Sequence, residues 1–214
     1  MSYRYAFFDL DGTLIDSSPG IFNSIRYTAK KMGLVPPSEE QMTAFIGPPV
    51  VKSFARHYGL SEEDSACTID IYREYYADTG VLECDLYEGI RDLLDQLNAR
   101  GIPCVLATCK PHVYAERIIQ HFDLLDKFAF LSGPELDGTR NEKSEVIVHA
   151  MEKLGITDRK EILMIGDRDN DMLGAKRAGV DAAGALWGFG SAEELTETGA
   201  KYICQTPTDL LKYF

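Results

Sequence analysis

Apolar and polar positions along this chain fall into short blocks. Segments 3–8, 103–108, 128–132, 162–166 and 182–187 are strand-sized, and four of the five are apolar and unalternating over much of their length. That pattern predicts parallel strands covered by helices on both faces. Between them, Ile90, Leu93, Leu94 and Leu97 fall at helical spacing, as do Val146, Ile147, Ala150, Met151 and Leu154. Helix-like segments repeatedly close on a glycine followed by an apolar residue, as in Met32-Gly33-Leu34, Arg100-Gly101-Ile102, Leu154-Gly155-Ile156 and Ala178-Gly179-Val180. Glycine supplies the left-handed cap there, and the next apolar run opens a strand. The fold class expected is α/β, a Rossmann-like parallel sheet with crossover helices.

Residues 17–84 break this alternation and read as three or four helices without a convincing strand. The expected organisation is therefore an α/β core of residues 1–16 and 85–214, with residues 17–84 inserted after the first strand as a helical cap domain. Gly33 to Pro37 separates its first two helices, Gly47-Pro48-Pro49 makes a stiff loop, and Ser61 with Asp64 resembles a capping box opening a tyrosine-rich helix to Asp78. Tyr72 and Tyr76, four residues apart and joined by Ile69, are expected to pack the bundle; stacking on a nucleobase is the lesser alternative.

Composition narrows the setting. With 45% hydrophobic and 26% charged residues, 214 residues suffice for one full core and a small second module. The excess of 34 acidic over 22 basic residues, a net charge of -12, opposes binding to nucleic acid or an anionic membrane, and no basic patch offsets it. No apolar run has membrane-spanning length, and Met1-Ser2-Tyr3-Arg4 leads into a strand instead of a signal peptide. Five scattered cysteines without CxxC pairs suit a reducing cytoplasm.

The first strand empties into Asp9 and Asp11, followed at once by Gly12 and Thr13. Carboxylates one residue apart repel each other, so a site that keeps both needs a cation, a proton or a reacting anion to balance them. Asp, Gly and Thr are also ordinary turn residues, which is the bland alternative. Ligands of parallel α/β sheets bind beyond the carboxyl ends of the strands, and Thr108, together with Asp167, Asp169 and Asp171, stands at such ends. Lys143 begins the helix leading toward the last of them. Carboxylates from two strand ends suit a hard cation, magnesium ahead of zinc. The Thr108 hydroxyl and the Lys143 ammonium suit a phosphate.

On these residues the chain resembles the haloacid dehalogenase superfamily, in its phosphatase branch with a helical cap. Asp9-Leu10-Asp11-Gly12-Thr13 matches the first motif, Thr108 the second, Lys143 the third, and Gly166-Asp167 with Asp171 the fourth. Thr108-Cys109-Lys110-Pro111, Gly47-Pro48-Pro49 and Trp187-Gly188-Phe189-Gly190 resemble the phosphoglycolate phosphatase and 5'-nucleotidase-like group. The resemblance implies a Mg²⁺-dependent phosphomonoesterase acting on a small phosphorylated metabolite, phosphoglycolate or a nucleoside 5'-monophosphate. Asp9 would become an aspartyl phosphate while Asp11 moves the proton. Magnesium would be held by Asp9, the Asp11 carbonyl and Asp167, with Asp171 acting through a water. Thr108 and Lys143 would hold the phosphoryl oxygens, joined by amides of the turn from Leu10 to Gly12.

Further substrate-side candidates are Gly12, Thr13, Cys109, Lys110, Lys52 and Arg56. Lys110 reads either as a second phosphate-side cation or as a surface lysine, and Lys52 with Arg56 either as a face greeting an anionic tail or as solvated charge. Asp16 and Asp169 are expected to orient loops, Arg168 to make a structural ion pair, and the four histidines to be incidental. Cys109 departs from the Asn or Ser of many relatives, and a thiol beside a cationic site is expected to oxidise readily. The partner expected is the small substrate alone, without nucleic acid or membrane, on a monomer or homodimer. A phosphosugar mutase of the same superfamily would keep every site residue, and a phospho-acceptor signalling domain is a distant alternative. A dehalogenase would have no use for Asp11, because no alkoxide leaves.

Overall fold

The computed structural model describes residues 2–47 and 50–214, with Glu62 described in its backbone only, so the two prolines of the expected stiff loop, Pro48 and Pro49, lie outside the described residues. The chain divides into two compact units, Met1–Asp16 with Leu86–Phe214, and Ser17–Asp85.

Six parallel strands form the sheet of the first unit: β1 (Tyr5–Phe8), β4 (Cys104–Ala107), β5 (Phe128–Ser132), β6 (Ile162–Gly166), β7 (Asp181–Ala185) and β8 (Tyr202–Cys204), ordered β5-β4-β1-β6-β7-β8. Two-residue strands β2 (Ile15–Asp16) and β3 (Asp85–Leu86) pair separately. Helices α5 (Ile90–Ala99), α6 (His112–His121), α7 (Lys143–Leu154), α8 (Asp169–Ala178) and α9 (Ala192–Thr198) connect the strands. Every residue of β4 and β6 is buried, which explains their unalternating apolar character. Val146, Ile147, Ala150 and Met151 of α7 join Met172 and Ala175 of α8 over Phe7, Val105 and Met164 of the sheet. On α5, Ile90, Leu93, Leu94 and Leu97 are the buried stripe that their spacing predicts.

Register sets the position of the site. Phe8 of β1 pairs with Leu106 of β4 and with Ile165 of β6. One residue further, Asp9 comes level with Ala107 and Gly166, so the polar residues after all three strands emerge at one edge of the sheet. The segment expected as a strand over 182–187 stops at Ala185, because the chain turns there and carries Trp187 back to donate its indole N–H to the Thr13 carbonyl at 2.8 Å. Edge strand β8 was not expected at all.

The second unit holds α1 (Ser18–Lys31), α2 (Glu39–Thr43), α3 (Val50–Tyr58) and α4 (Glu62–Tyr76), with α4 packed on α1 and α3. Helix α4 ends short of Asp78. Its cap Ser61 accepts the Asp64 amide at 3.1 Å, but the hydroxyl then turns to the Asp64 carboxylate at 2.7 Å instead of completing a reciprocal box. The reciprocal box lies at Ser38 and Gln41. Tyr72 and Tyr76 are buried with stacked rings 5.2 Å apart, which favours packing over a base platform. Among the described residues no helix is long and apolar enough to cross a membrane.

Candidate active site

Three carboxylates and one ammonium meet beyond the strand ends. Asp9, anchored by its amide on the Ile165 carbonyl at 2.9 Å, Asp167 just after β6, and Asp171 in the first turn of α8 each offer one oxygen, all within 4.8 Å of one another. Lys143, the first residue of α7, is buried, with its Nζ 2.8 Å from Asp9 Oδ1 and 2.8 Å from Asp171 Oδ1. It also donates to the Ala107 carbonyl at 3.0 Å. Room for its stem comes from α8: a Cβ on Gly174 would lie 2.4 Å from Lys143 Cγ.

The charges in this cluster do not balance. Burial pushes the Asp9 carboxyl above its ordinary value and Lys143 pulls it back, while neighbouring Asp171 raises it further. Burial and then Asp171 hold Asp167 well above the usual carboxylate range, against the opposing Phe189 amide and Thr13 hydroxyl. Burial alone would lower the Lys143 ammonium, yet Asp171 and Asp9 keep it above its normal value. Among the described residues, Asp9 Oδ1 and Asp171 Oδ1 are buried and accept no properly angled hydrogen bond, even with Lys143 beside them. One ammonium against three carboxylates, two of them buried and Asp9 partly so, leaves negative charge and lone pairs unmatched, and oxygen donors so arranged fit a hard divalent cation.

Asp11 faces a different partner. Lys110 Nζ donates to both of its oxygens, at 2.8 and 2.9 Å, and the side chains of Lys110 and Asp11 are only 5% and 15% exposed. Lys110 is thus not a surface lysine. Thr108 is buried; its hydroxyl helps hold the Asp9 carboxyl down and accepts the Lys110 amide at 3.1 Å.

Two expected substrate contacts turn inward. The Gly12 amide donates to the Ile15 carbonyl at 2.8 Å, and its φ of +78° explains the glycine. Thr13 is fully buried and its hydroxyl donates to Asp167 Oδ1 at 3.2 Å. Both shape the turn and steady Asp167, so neither their amide nor their hydroxyl is directed at a ligand. Burial pushes the Cys109 thiol up to about 11 despite nearby Lys143, which works against the thiolate that its cationic surroundings suggest. Its sulfur accepts the Asn170 side-chain amide at 3.4 Å. Lys52 and Arg56 are exposed on α3, in the helical unit. Arg168 pairs with Glu194 at 2.9 Å, and the Asp169 carboxylate accepts the Asn170 amide at 2.6 Å, as orienting residues do.

The segment Trp187 to Gly190 has a part that its sequence did not disclose. Phe189 donates its amide to Asp167 Oδ2 at 2.9 Å, and a Cβ on Gly188 would lie 2.2 Å from the Gly12 carbonyl. With the Trp187 indole on Thr13, this segment clamps the aspartate turn to Asp167. The signal available was two glycines around an aromatic residue just past a strand.

The sequence profile of the haloacid dehalogenase-like hydrolases matches residues 6–185, a span holding every residue of this cluster. The chain belongs to that family. Among the relatives of this haloacid dehalogenase-like chain is a Pseudomonas aeruginosa protein named 5'-nucleotidase, 39% identical over 204 residues that cover 95% of this chain and 92% of the other. A Mycobacterium tuberculosis protein named tyrosine-protein kinase PtkA is 33% identical, over 97% of this chain and 70% of its own. The crystal structure of a predicted phosphatase from Clostridium acetobutylicum superposes with a TM-score of 0.93 at 40% identity, covering 99% of this chain and 98% of that one. The enzyme is a phosphatase of this family, whose phosphatases generally use a divalent metal.

Proposed function

We propose that the protein is a magnesium-dependent phosphomonoesterase that hydrolyses phosphoglycolate or a nucleoside 5'-monophosphate through an aspartyl phosphate on Asp9. The supporting observation is the meeting of Asp9, Asp167 and Asp171 around buried Lys143, with Thr108 buried after the neighbouring strand. A magnesium ion would be held by the carboxylates of Asp9 and Asp167 and the carbonyl of Asp11, with Asp171 beside them, and when bound would offset the negative charge of nucleophile and phosphate.

The chain's own residues do the rest. Lys143 and Thr108 orient the Asp9 carboxylate, which attacks phosphorus in line as the bond to the leaving oxygen breaks. Asp11 passes its proton to that oxygen, so an alcohol departs instead of an alkoxide. In the second half, Asp11 takes a proton from water, the resulting nucleophile attacks phosphorus, and the Asp9 acyl phosphate opens to release phosphate. Lys143 supplies positive charge beside the transferring group throughout. The net charge of -12 opposes nucleic acid and anionic membrane, and cysteines without disulfides suit the cytoplasm, where the partner of this monomer or homodimer would be the small substrate.

Initial rates of phosphate release from AMP, UMP, phosphoglycolate and glucose 1-phosphate, with magnesium or with EDTA, test the reading. Acid-quenched wild-type enzyme should hold a hydroxylamine-labile phosphate that Asp9→Asn lacks. Metal-independent release, or turnover persisting in Asp9→Asn, would overturn it. Phosphate passed from one sugar position to another would replace it with the mutase reading, and transfer from ATP to a tyrosine with a kinase.

A further inference from the structure

Lys110 lies on the loop after β4, two residues past Thr108. Its backbone is held from two sides: its amide donates to Thr108 Oγ1 at 3.1 Å, and its carbonyl packs so close to Gly133 that a Cβ there would approach within 2.8 Å. From this seat the ammonium reaches both oxygens of Asp11, at 2.8 and 2.9 Å. A lysine that reaches both oxygens anchors the head of the carboxylate in place at the end of its side chain. Lys143 makes the other kind of contact, touching one oxygen each of Asp9 and Asp171. The two buried lysines therefore divide the two aspartates of the turn between them.

We propose that Lys110 is a positioning residue for Asp11, anchoring the carboxylate that serves the leaving oxygen and so setting how well the enzyme handles substrates whose leaving alcohol needs a proton. The proposal rests on the reading above that Asp11 moves that proton. A phosphate ligand is the competing role for a buried lysine beside such a site. The two roles differ in what they do to different leaving groups.

The test compares kcat/KM, which covers the step that breaks the substrate P–O bond, for p-nitrophenyl phosphate and for whichever of AMP and phosphoglycolate is turned over faster. Nitrophenolate leaves with little help from a proton, and an alkyl alcohol does not. Lys110→Met should lose about 10- to 100-fold more on the alkyl ester than on the nitrophenyl ester, a fraction of the usual general-acid contribution. Lys110→Arg, whose planar fork also spans two carboxylate oxygens, should bring the ratio back to within about threefold of wild type.

Equal losses on both substrates, with inhibition by inorganic phosphate weakened to match, would make Lys110 a phosphate ligand and overturn the proposal; an arginine variant no better than methionine would count against the two-oxygen contact. Asp11→Asn separates the two readings. If it too loses equally on both esters, the proton role of Asp11 fails; if it is selective while Lys110→Met is not, only the role of Lys110 falls. Should the methionine variant fail to fold by circular dichroism, Lys110→Gln gives the same ratio.

Discussion

In the helical unit the charged side chains pair at the surface, Arg26 with Glu39 at 2.7 Å and Lys31 with Glu74 at 3.6 Å, all four at least 40% exposed. In the α/β unit, Lys110, Lys143, Asp167 and Asp171 are buried, and each is held by named partners. Surface pairs of the first kind contribute about 0–1 kcal/mol and can be exchanged freely. Buried ones bring a desolvation penalty of several kcal/mol per ion, as a rough guide, and persist where chemistry needs them. One unit is thus organised by its apolar stripe, and the other accepts a stability cost at its strand ends in return for reactivity.

The comparison can be broken first at its reactive end. Asp9→Asn should lower kcat by at least about 10⁴-fold, equivalent to roughly 5.5 kcal/mol of barrier, without lowering the melting temperature. The matching change in the helical unit is Phe54→Ala. It empties a fully buried position and should cost about 3–5 kcal/mol of stability in a denaturant titration, with kcat retained at low temperature.

Glycines sharpen the contrast. Gly174→Ala places a methyl 2.4 Å from Lys143 Cγ and should cost about 100-fold in kcat/KM through displacement of that lysine. Gly59→Ala, at φ +64° with no atom of the described residues beyond its own chain neighbours within 4 Å of the new carbon, should cost only about 1–2 kcal/mol of stability and leave kcat/KM within about twofold.

The smallest effect concerns acid stability. Burial works to raise the Asp181 carboxyl, but Lys201 and Tyr3, each 2.6 Å from its Oδ2, hold it below its ordinary 3.8. A folded value lower than the unfolded one stabilises the protein above pH 3.8, and that contribution is lost as pH falls through the folded value. Thermal melts of Asp181→Asn should therefore fall off less steeply than wild type below pH 3.8 while being lower at neutral pH.

Legibility in the sequence followed the same division. Strand β6 begins and ends where its apolar run does, because burial on both faces forces such a run, and edge strand β5, where only Ser132 is buried, keeps its expected bounds as well. Three-residue β8 escaped, since Tyr202-Ile203-Cys204 is too short for any period to show and sits at an edge where half its surroundings are solvent. In the site, Asp9, Asp167, Asp171, Thr108 and Lys143 were readable because acids and a lysine at strand ends need a chemical reason. The directions of Gly12 and Thr13 were not, since a turn of positive φ rotates the next residue inward. Nor was the partner of Asp11: Lys110 lies 99 positions away, and only the pairing of β1 with β4 joins them.

The clamp from Trp187 onto Thr13 has an optical consequence. Trp187 is the sole tryptophan of the chain, and its indole N–H is bound to the carbonyl of a residue that itself hydrogen-bonds Asp167. Emission excited where tyrosine does not absorb therefore originates beside the aspartate turn, and a cation or phosphate settling there registers as light without any label.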